Sequence, residues 1–312
     1  MTRILVTGAG GMIGCAVLAH LAETGGHDVL ATDLAAFDCP DGIGFETLDV
    51  TTDDPDRVIG AWKPQVVLHL ASIVTPGPGQ DEEFAHRVDV EGSRKVLAAC
   101  LAHGVRRLVV TSSGAAYGYH PDAPVPLTET APLRGNDAFP YARHKRLVEE
   151  MLAEARATHP ALEQVILRVG TVLGPGTDNQ ITALFHKPRL LGVCGSDSPF
   201  VFIWTRDLAR ILHRAATDGP PGAFNVAGDG AMSIAELGRA LGKPVLRLPA
   251  WLLKTALAVA RPLGASRYGP EQVRFLQYRP VLDNTALKTR FGYVPEKTSA
   301  ETFDLWKRSV GL

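Results

Sequence analysis

Tyr141 and Lys145, four residues apart in Pro140-Tyr141-Ala142-Arg143-His144-Lys145, are the pair in this sequence best suited to act together. On a helix, positions i and i+4 share a face, so a phenol and an ammonium at this spacing can meet. A free phenol has a pKa of about 10, too high for a good base at neutral pH. A neighbouring cation favours the phenolate and lowers that value. Spacing alone is weak, because the same pattern recurs on solvated helix faces. Two hydroxyls strengthen it. Ser112 and Ser113, in Thr111-Ser112-Ser113-Gly114-Ala115-Ala116-Tyr117-Gly118, follow an apolar strand and could hydrogen-bond a substrate oxygen beside Tyr141.

A second constellation stands at the start of the chain. The strand-like Arg3–Thr7 runs directly into Gly8-Ala9-Gly10-Gly11-Met12-Ile13-Gly14 and then a helical pattern. Such a turn lets the backbone approach a pyrophosphate, while the helix N-terminus offers unpaired N–H groups and a positive dipole. A side chain at Gly8 or Gly11 would obstruct that approach, and one at Gly14 would push helix from strand. Asp33 ends the second strand about 20 residues beyond the glycines, where an acid can accept hydrogen bonds from an adenosine ribose. A 2′-phosphate would face that carboxylate, and Leu34-Ala35-Ala36 supplies no Arg to offset it. NAD is therefore expected over NADP, and its positive nicotinamide ring would favour the Tyr141 phenolate further.

The motif TGAGGMIG resembles the TGxxGxxG signature of extended short-chain dehydrogenases/reductases, the NAD-dependent epimerase/dehydratase family. The likeness covers nearly the whole chain, with several motifs in order. It implies adenine contacts at Asp49 and Val50, and places Leu70, Ala71 and Ser72 beside the cofactor with Met12 and Ile13. It assigns Ser113, counted from Tyr117-Gly118, as the catalytic hydroxyl, with Ser112 as the alternative. The implied mechanism has Tyr141 exchanging a proton with a secondary alcohol as hydride moves to or from the nicotinamide. Lys145 would lower the tyrosine pKa and hold the nicotinamide ribose, and Ser113 would polarise the substrate C–O bond.

The departures narrow the reaction. Family dehydratases carry Asp-Glu after the catalytic hydroxyl, whereas Gly114-Ala115 stands here. Thr171 and Trp204, candidate substrate contacts, replace the Asn and His that are usual in sugar-nucleotide members, and Asp89 replaces an Asn. Arg189, Arg206, Arg274 and Arg279 are candidate diphosphate ligands. Net oxidoreduction of a secondary alcohol or ketone, helped by the apolar segment from Pro249 to Leu263, is the leading reading. The alternative is a sugar-nucleotide epimerase that retains NAD; a non-catalytic NAD sensor is the third.

The elements that must position these residues alternate through the first half. Strands are expected at Arg3–Thr7, Asp28–Thr32, Gly44–Leu48, Val66–Leu70, Leu108–Ser112 and Gln164–Val169. Helices are expected at Met12–Glu23, Asp54–Trp62, Glu82–His103 and Tyr141–Thr158. Consecutive Val, Ile and Leu mark strands covered on both faces, so the expected fold is α/β: a Rossmann-type doubly wound parallel sheet. Residues 1–172 would form the NAD-binding domain, with a returning segment near 200–230. Residues 173–312 would form a smaller mixed α/β substrate-binding portion, with helices at Asp207–Ala216, Ile234–Leu241 and Leu252–Ala260.

Composition excludes other classes. The 312 residues carry a formal net charge of −1 and no basic run suited to nucleic acid. Cys15, Cys39, Cys100 and Cys194 are scattered, giving no metal site and no disulfide framework. Leu248–Leu263 is too short to span a bilayer and reads as a buried or amphipathic helix. A cytoplasmic enzyme with a small-molecule substrate is expected, paired as a homodimer through Glu82–His103 and Tyr141–Thr158. Asn225 is expected to be structural, His144 to lie on a helix surface, and Tyr119, His120 and Glu129 to sit in a loop that could close over substrate.

Overall fold

Runs of Val, Ile and Leu make strands whose two faces are both covered, and such strands form the centre of a seven-stranded sheet with the more exposed strand Gly44–Thr47 at one edge. The computed structural model describes the chain except residues 75, 76, 78, 79, 265, 267 and 268. Its first half contains β1 (Thr2–Thr7), α1 (Met12–Thr24), β2 (His27–Asp33), β3 (Gly44–Thr47), α2 (Asp54–Trp62), β4 (Val66–His69), α3 (Glu82–His86), α4 (Gly92–Ala102), β5 (Arg107–Ser113), α5 (Pro140–Thr158) and β6 (Glu163–Val169). The rest contains β7 (Thr171–Leu173), α6 (Gln180–Phe185), β8 (Leu190–Val193), β9 (Phe202–Trp204), α7 (Thr205–Ala216), β10 (Gly222–Val226), α8 (Ile234–Leu241), β11 (Val245–Leu248), α9 (Ala250–Ala260), α10 (Gln272–Gln277), α11 (Thr285–Thr289) and α12 (Ser299–Ser309).

The central order is β10-β6-β5-β4-β1-β2-β3. Every ladder in it is parallel. Thr7 pairs with Thr32 on one side and His69 on the other, so the strand order reverses at β1. In open α/β sheets the crevice at such a reversal, beyond the carboxyl ends of the strands, is where ligands bind. Successive side chains of β1 serve opposite faces. Ile4 and Val6 pack with Val17 and Leu18 of α1 and Ile211 and Leu212 of α7. Leu5 packs with Val58 of α2, Val96 of α4 and Val148 of α5. Burying each such side chain stabilises the fold by about 1.5–3 kcal/mol.

One expected element is divided. Glu82–His103 was to be a single helix, but a π-helical turn over Arg87–Glu91 separates α3 from α4. Such turns insert a residue and re-aim side chains, often at functional sites; here the turn carries the buried Asp89.

The remaining strands form two parallel pairs, β7 with β9 and β8 with β11. Phe185, Phe200, Phe202, Phe303 and Trp306 fill a separate aromatic core. Phe200 and Phe202 stack at 5.8 Å between centroids. In α9 only Leu253 is buried, and Trp251 is 68 % exposed. Of the two expectations for the apolar segment, the amphipathic one fits: Leu253 and Leu257 pack inward while Trp251, Leu252 and Val259 face outward.

Candidate active site at the carboxyl edge of the sheet

The three expected catalytic side chains converge. Ser113 ends β5 and caps a short 3-10 turn, its Oγ accepting the Ala115 N–H at 3.1 Å. Tyr141 follows Pro140 in the first turn of α5, where a proline costs no helical hydrogen bond. Burial pushes the Tyr141 phenol up to about 12, and a hydrogen bond with Ser113 works in the opposite direction. Lys145 sits one turn on, its Nζ 5.5 Å from the centre of the Tyr141 ring and donating to the Thr111 carbonyl at 2.9 Å. Burial pulls its ammonium below the usual range, while Asp89 and Glu149 favour the charge. At Tyr141 burial outweighs the Ser113 hydrogen bond, and the Asp89 charge adds to the upward push.

The glycine turn lies at the end of β1, separated from β5 by β4. Gly8 has φ +67°, and a Cβ there would meet the Ala71 nitrogen at 2.6 Å. Gly8 is thus required by the close approach of the segment after β4 that carries Leu70 and Ala71. At Gly14 a Cβ would lie 2.4 Å from the Ala9 carbonyl oxygen, so helix and strand do require glycine there. At Gly11 a Cβ would meet only the Gly8 oxygen at 3.3 Å, and the exposed Gly10, Gly11 and Met12 leave an open approach to the start of α1. The N–H groups of Met12 and Ile13 have no partner within the helix. Asp33 already accepts the Gly10 and Leu34 N–H groups, at 2.8 and 2.7 Å. Its carboxylate is fixed beside the turn, where it suits a ribose. Asp49 makes a local turn with Thr51, and Val50 is buried beneath Gly92. A dinucleotide fits this edge: an open helix N-terminus, a fixed carboxylate at the end of β2, and Leu70, Ala71 and Ser72 leading toward α5.

Three buried polar groups that the sequence reading missed or misplaced hold this edge together. Asp89 Oδ1 accepts from the Ser72 hydroxyl and the Ile73 N–H, at 2.9 and 2.8 Å, and Oδ2 lies 3.0 Å from His144 Nδ1. Burial alone would raise the Asp89 carboxyl; His144, the Lys145 charge and these N–H and O–H donors together hold it below its ordinary value. His144 is fully buried, not on a helix surface as expected. His69 bridges Thr7 Oγ1 and Ser93 Oγ at 2.8 and 2.9 Å, and burial pulls its imidazole down to about 3. Glu149, also on α5, takes the Ser112 hydroxyl at 2.5 Å and the Arg168 guanidinium at 2.7 Å. Ser112 is thereby committed to the core, which leaves Ser113 facing Tyr141. Asp89 flanked by Val88 and Val90, and Arg168 within the apolar β6, are the signals that could have revealed these groups from sequence.

The loop between the serine and tyrosine segments is pinned rather than free to close. Glu129 accepts the Asn225 N–H at 2.8 Å, His120 meets the Arg134 carbonyl at 2.7 Å, and Tyr119 is buried against Phe139 and Phe275. Asn225 is fully buried and bonds the Tyr117 hydroxyl at 2.8 Å, a structural role as expected.

The two candidate substrate residues lie on the β7–β9 pair. Thr171 joins the β7–β9 ladder opposite Phe202. Trp204 lines a cleft of about 720 Å³ with Met12, Cys15, Thr177, Arg206 and Leu305, beside the start of α1. Arg279 is the candidate anion ligand that stands out. Its guanidinium lies 3.8 Å from the Phe200 ring centre and 4.7 Å from that of Phe275, and it donates to the Ser198 carbonyl at 2.9 Å. Among the described residues it has no ion-pair partner, and burial pulls it down to about 9. Phe275, beneath this cation, meets Tyr119 at 5.4 Å between ring centres, and both pack in one cluster with Tyr141.

The chain is 27 % identical to an uncharacterized protein of Mycobacterium tuberculosis over 99 % of its own length and 84 % of that protein. It is 30 % identical to the UDP-glucose 4-epimerase of Mycolicibacterium smegmatis, over 96 % of this chain and 95 % of the relative. Among solved structures, the Thermus thermophilus UDP-glucose 4-epimerase in complex with NAD superposes with a TM-score of 0.75 at 24 % identity, covering 99 % of this chain and 98 % of that one. The family model for the NAD dependent epimerase/dehydratase family matches residues 4–227. The protein belongs to that family and is an NAD-dependent enzyme.

Proposed function

We propose that the protein is a sugar-nucleotide epimerase that keeps its NAD through the reaction. The observation that carries this reading is Arg279: a partly buried guanidinium with no carboxylate partner among the described residues, lying over Phe275, which packs in one cluster with Tyr119 and Tyr141. Burying an unpaired cation is costly unless a ligand supplies the opposite charge. The diphosphate of a nucleoside-diphosphate sugar would do so, and its reach would set the sugar against Tyr141. The similarity to UDP-glucose 4-epimerases makes UDP-hexoses the first candidates. Net oxidoreduction of an apolar alcohol is less favoured, because Trp251, Leu252 and Val259 of α9 face outward and only its inner side, with Leu253 and Leu257, packs on the protein.

NAD held at the glycine turn would supply a reversible hydride acceptor for the sugar carbon. The chain's own residues govern the proton. Tyr141 Oη takes the hydroxyl proton as the C–H bond breaks, and gives it back when the C–H bond re-forms on the opposite face. Ser113 Oγ steadies the charge on Tyr141 and the substrate oxygen, and Lys145, held by Thr111, contributes positive charge. Gly8, Gly11, Met12, Ile13, Gly14, Asp33, Asp49, Val50, Leu70, Ala71 and Ser72 line the dinucleotide's path. Both hydride and proton return to the sugar, so no net oxidation occurs.

The test is interconversion of UDP-glucose and UDP-galactose followed by chromatography. Conversion without growth of reduced-nicotinamide absorbance, with NAD released on denaturation, is expected. Stoichiometric NADH production from a simple alcohol, with no interconversion, would refute the proposal. Arg279→Leu should raise KM for the nucleotide sugar far more than it lowers kcat.

A further inference from the structure

We propose that α9 and its flanks rest on an anionic lipid surface, docking the enzyme at a membrane without spanning it. The observation begins with exposure. Trp251, Leu252, Val259 and Leu263 are 68, 40, 56 and 75 % exposed, four large apolar side chains within thirteen residues. Leu246 and its ladder partner Leu191 are also exposed, at 43 and 40 %, on the strand pair that leads into the helix. The inner side of the helix is already satisfied, since Leu253 and Leu257 pack with Val193 and Val273. At 100° per residue, Trp251, Leu252 and Val259 fall on one outward stripe. Lys254 and Arg261, seven residues apart, run along one edge of it.

Charge identifies the occupant. From Leu237 to Pro270 the sequence has no Asp or Glu, yet it holds Arg239, Lys243, Arg247, Lys254, Arg261 and Arg267, in a protein whose net charge is −1. Arg247 and Arg261 have carboxylates only at 3.7 and 3.8 Å, from Asp197 and Glu271. Lys254 has no ion-pair partner among the described residues. A helix with an apolar stripe, an interfacial Trp and basic flanks lies in the headgroup plane of anionic bilayers. No described helix is long and apolar enough to cross a membrane. A second copy fits less well. A two-fold interface sets a patch against itself, and would bring Lys254 and Arg261 toward their own copies with no acid in the segment to offset them.

The full-length protein should co-float with vesicles of phosphatidylcholine mixed with phosphatidylglycerol, and not with phosphatidylcholine alone. High salt should release it. Each cation near the surface is worth about a fivefold change in partition. Lys254→Glu with Arg261→Glu should therefore weaken binding by more than about twenty-five-fold, and Trp251→Ser with Val259→Ser should abolish it. NAD binding, which uses the other half of the chain, checks that each variant is folded. Protein that stays unbound with all vesicles would overturn the proposal. So would vesicle binding untouched by either double variant, or a wild-type dimer that the Trp251 and Val259 changes convert to monomer with no loss of vesicle binding.

Discussion

Replacing Ser113 with Ala should change the enzyme's pH dependence and not just its rate. Burial holds the Tyr141 phenol at about 12, and the Ser113 hydrogen bond is the interaction that eases its ionisation. At pH 7 a phenol at about 12 is ionised in about one molecule in 10⁵, and the rate of the proton-abstracting half-reaction should rise tenfold per pH unit below that value. A hydrogen bond to a charged group is worth about 1.5–3 kcal/mol. Its loss corresponds to about one to two pH units, at 1.36 kcal/mol each. Ser113→Ala should therefore lower kcat/KM at neutral pH by about ten- to a hundredfold. The whole alkaline limb should move upward by the same one to two units. The assay is kcat/KM on the nucleotide sugar across neutral and alkaline pH, for wild type and variant. A rate loss with no displacement of the limb would refute the reasoning, because Ser113 would then act on substrate alone. An equal displacement in Ser112→Ala would also refute it, since the Ser112 hydroxyl is spent on Glu149 at 2.5 Å.

Tyr141→Phe should cut kcat by about 10²–10⁴, the worth of a positioned acid–base group, while NAD released on denaturation stays at the wild-type amount. Glu149→Gln removes the charge opposite the buried Arg168, and should cost about 3–5 kcal/mol in denaturant unfolding; a loss below 1 kcal/mol would contradict the ion pair's place in the core. Gly8→Ala sets a Cβ 2.6 Å from the Ala71 nitrogen at φ +67°, and should yield protein that melts well below wild type and no longer retains NAD. His69, buried at about 3 against about 6.5 when unfolded, binds its proton in the unfolded chain first. Stability should then fall as pH drops below 6.5, by up to about 1.4 kcal/mol per unit until pH 3, and His69→Gln should flatten that limb in acid unfolding.

The sheet was legible because its strands obey one rule over their whole length. Each of the six strands expected in the first half lies within a residue or two of its observed bounds, since consecutive Val, Ile and Leu have no other stable place than a sheet covered on both faces. The glycine turn and the Tyr141–Lys145 pair were legible for a similar reason: local geometry needs those residue types at those spacings. What escaped was whatever depends on contacts between distant segments. Periodicity places His144 on α5 but gives no hint that α3 and the π turn cover it. The same holds for α9, where an apolar run predicts burial and only the tertiary arrangement shows that its inner side is already filled by Leu253 and Leu257. The pinning of Glu129 is likewise a matter of β10 arriving from nearly a hundred residues away.

Two departures from the family pattern account for each other. Asp89 stands where the family usually has Asn, and His144 interrupts the Tyr-to-Lys segment of α5; in the fold they touch at 3.0 Å. Each carboxylate oxygen has a task. Oδ1 takes both the Ser72 hydroxyl and the Ile73 N–H, so Oδ2 needs a donor of its own in a place closed to water. An Asn would present an NH₂ there and require an acceptor. A carboxylate requires an N–H, and His144 Nδ1 supplies one. The pair ties the segment after β4, where the nicotinamide end of a dinucleotide would lie, to the helix that carries Tyr141 and Lys145. Asp89→Asn alone should therefore disturb Tyr141 through a contact it never makes itself, by replacing the carboxylate with an amide that His144 Nδ1 can accept from only if its proton moves to the unpartnered Nε2, loosening α5 from the cofactor edge. Buried polar pairs of this kind fix relative position more than they add stability, and position is what a hydride transfer demands.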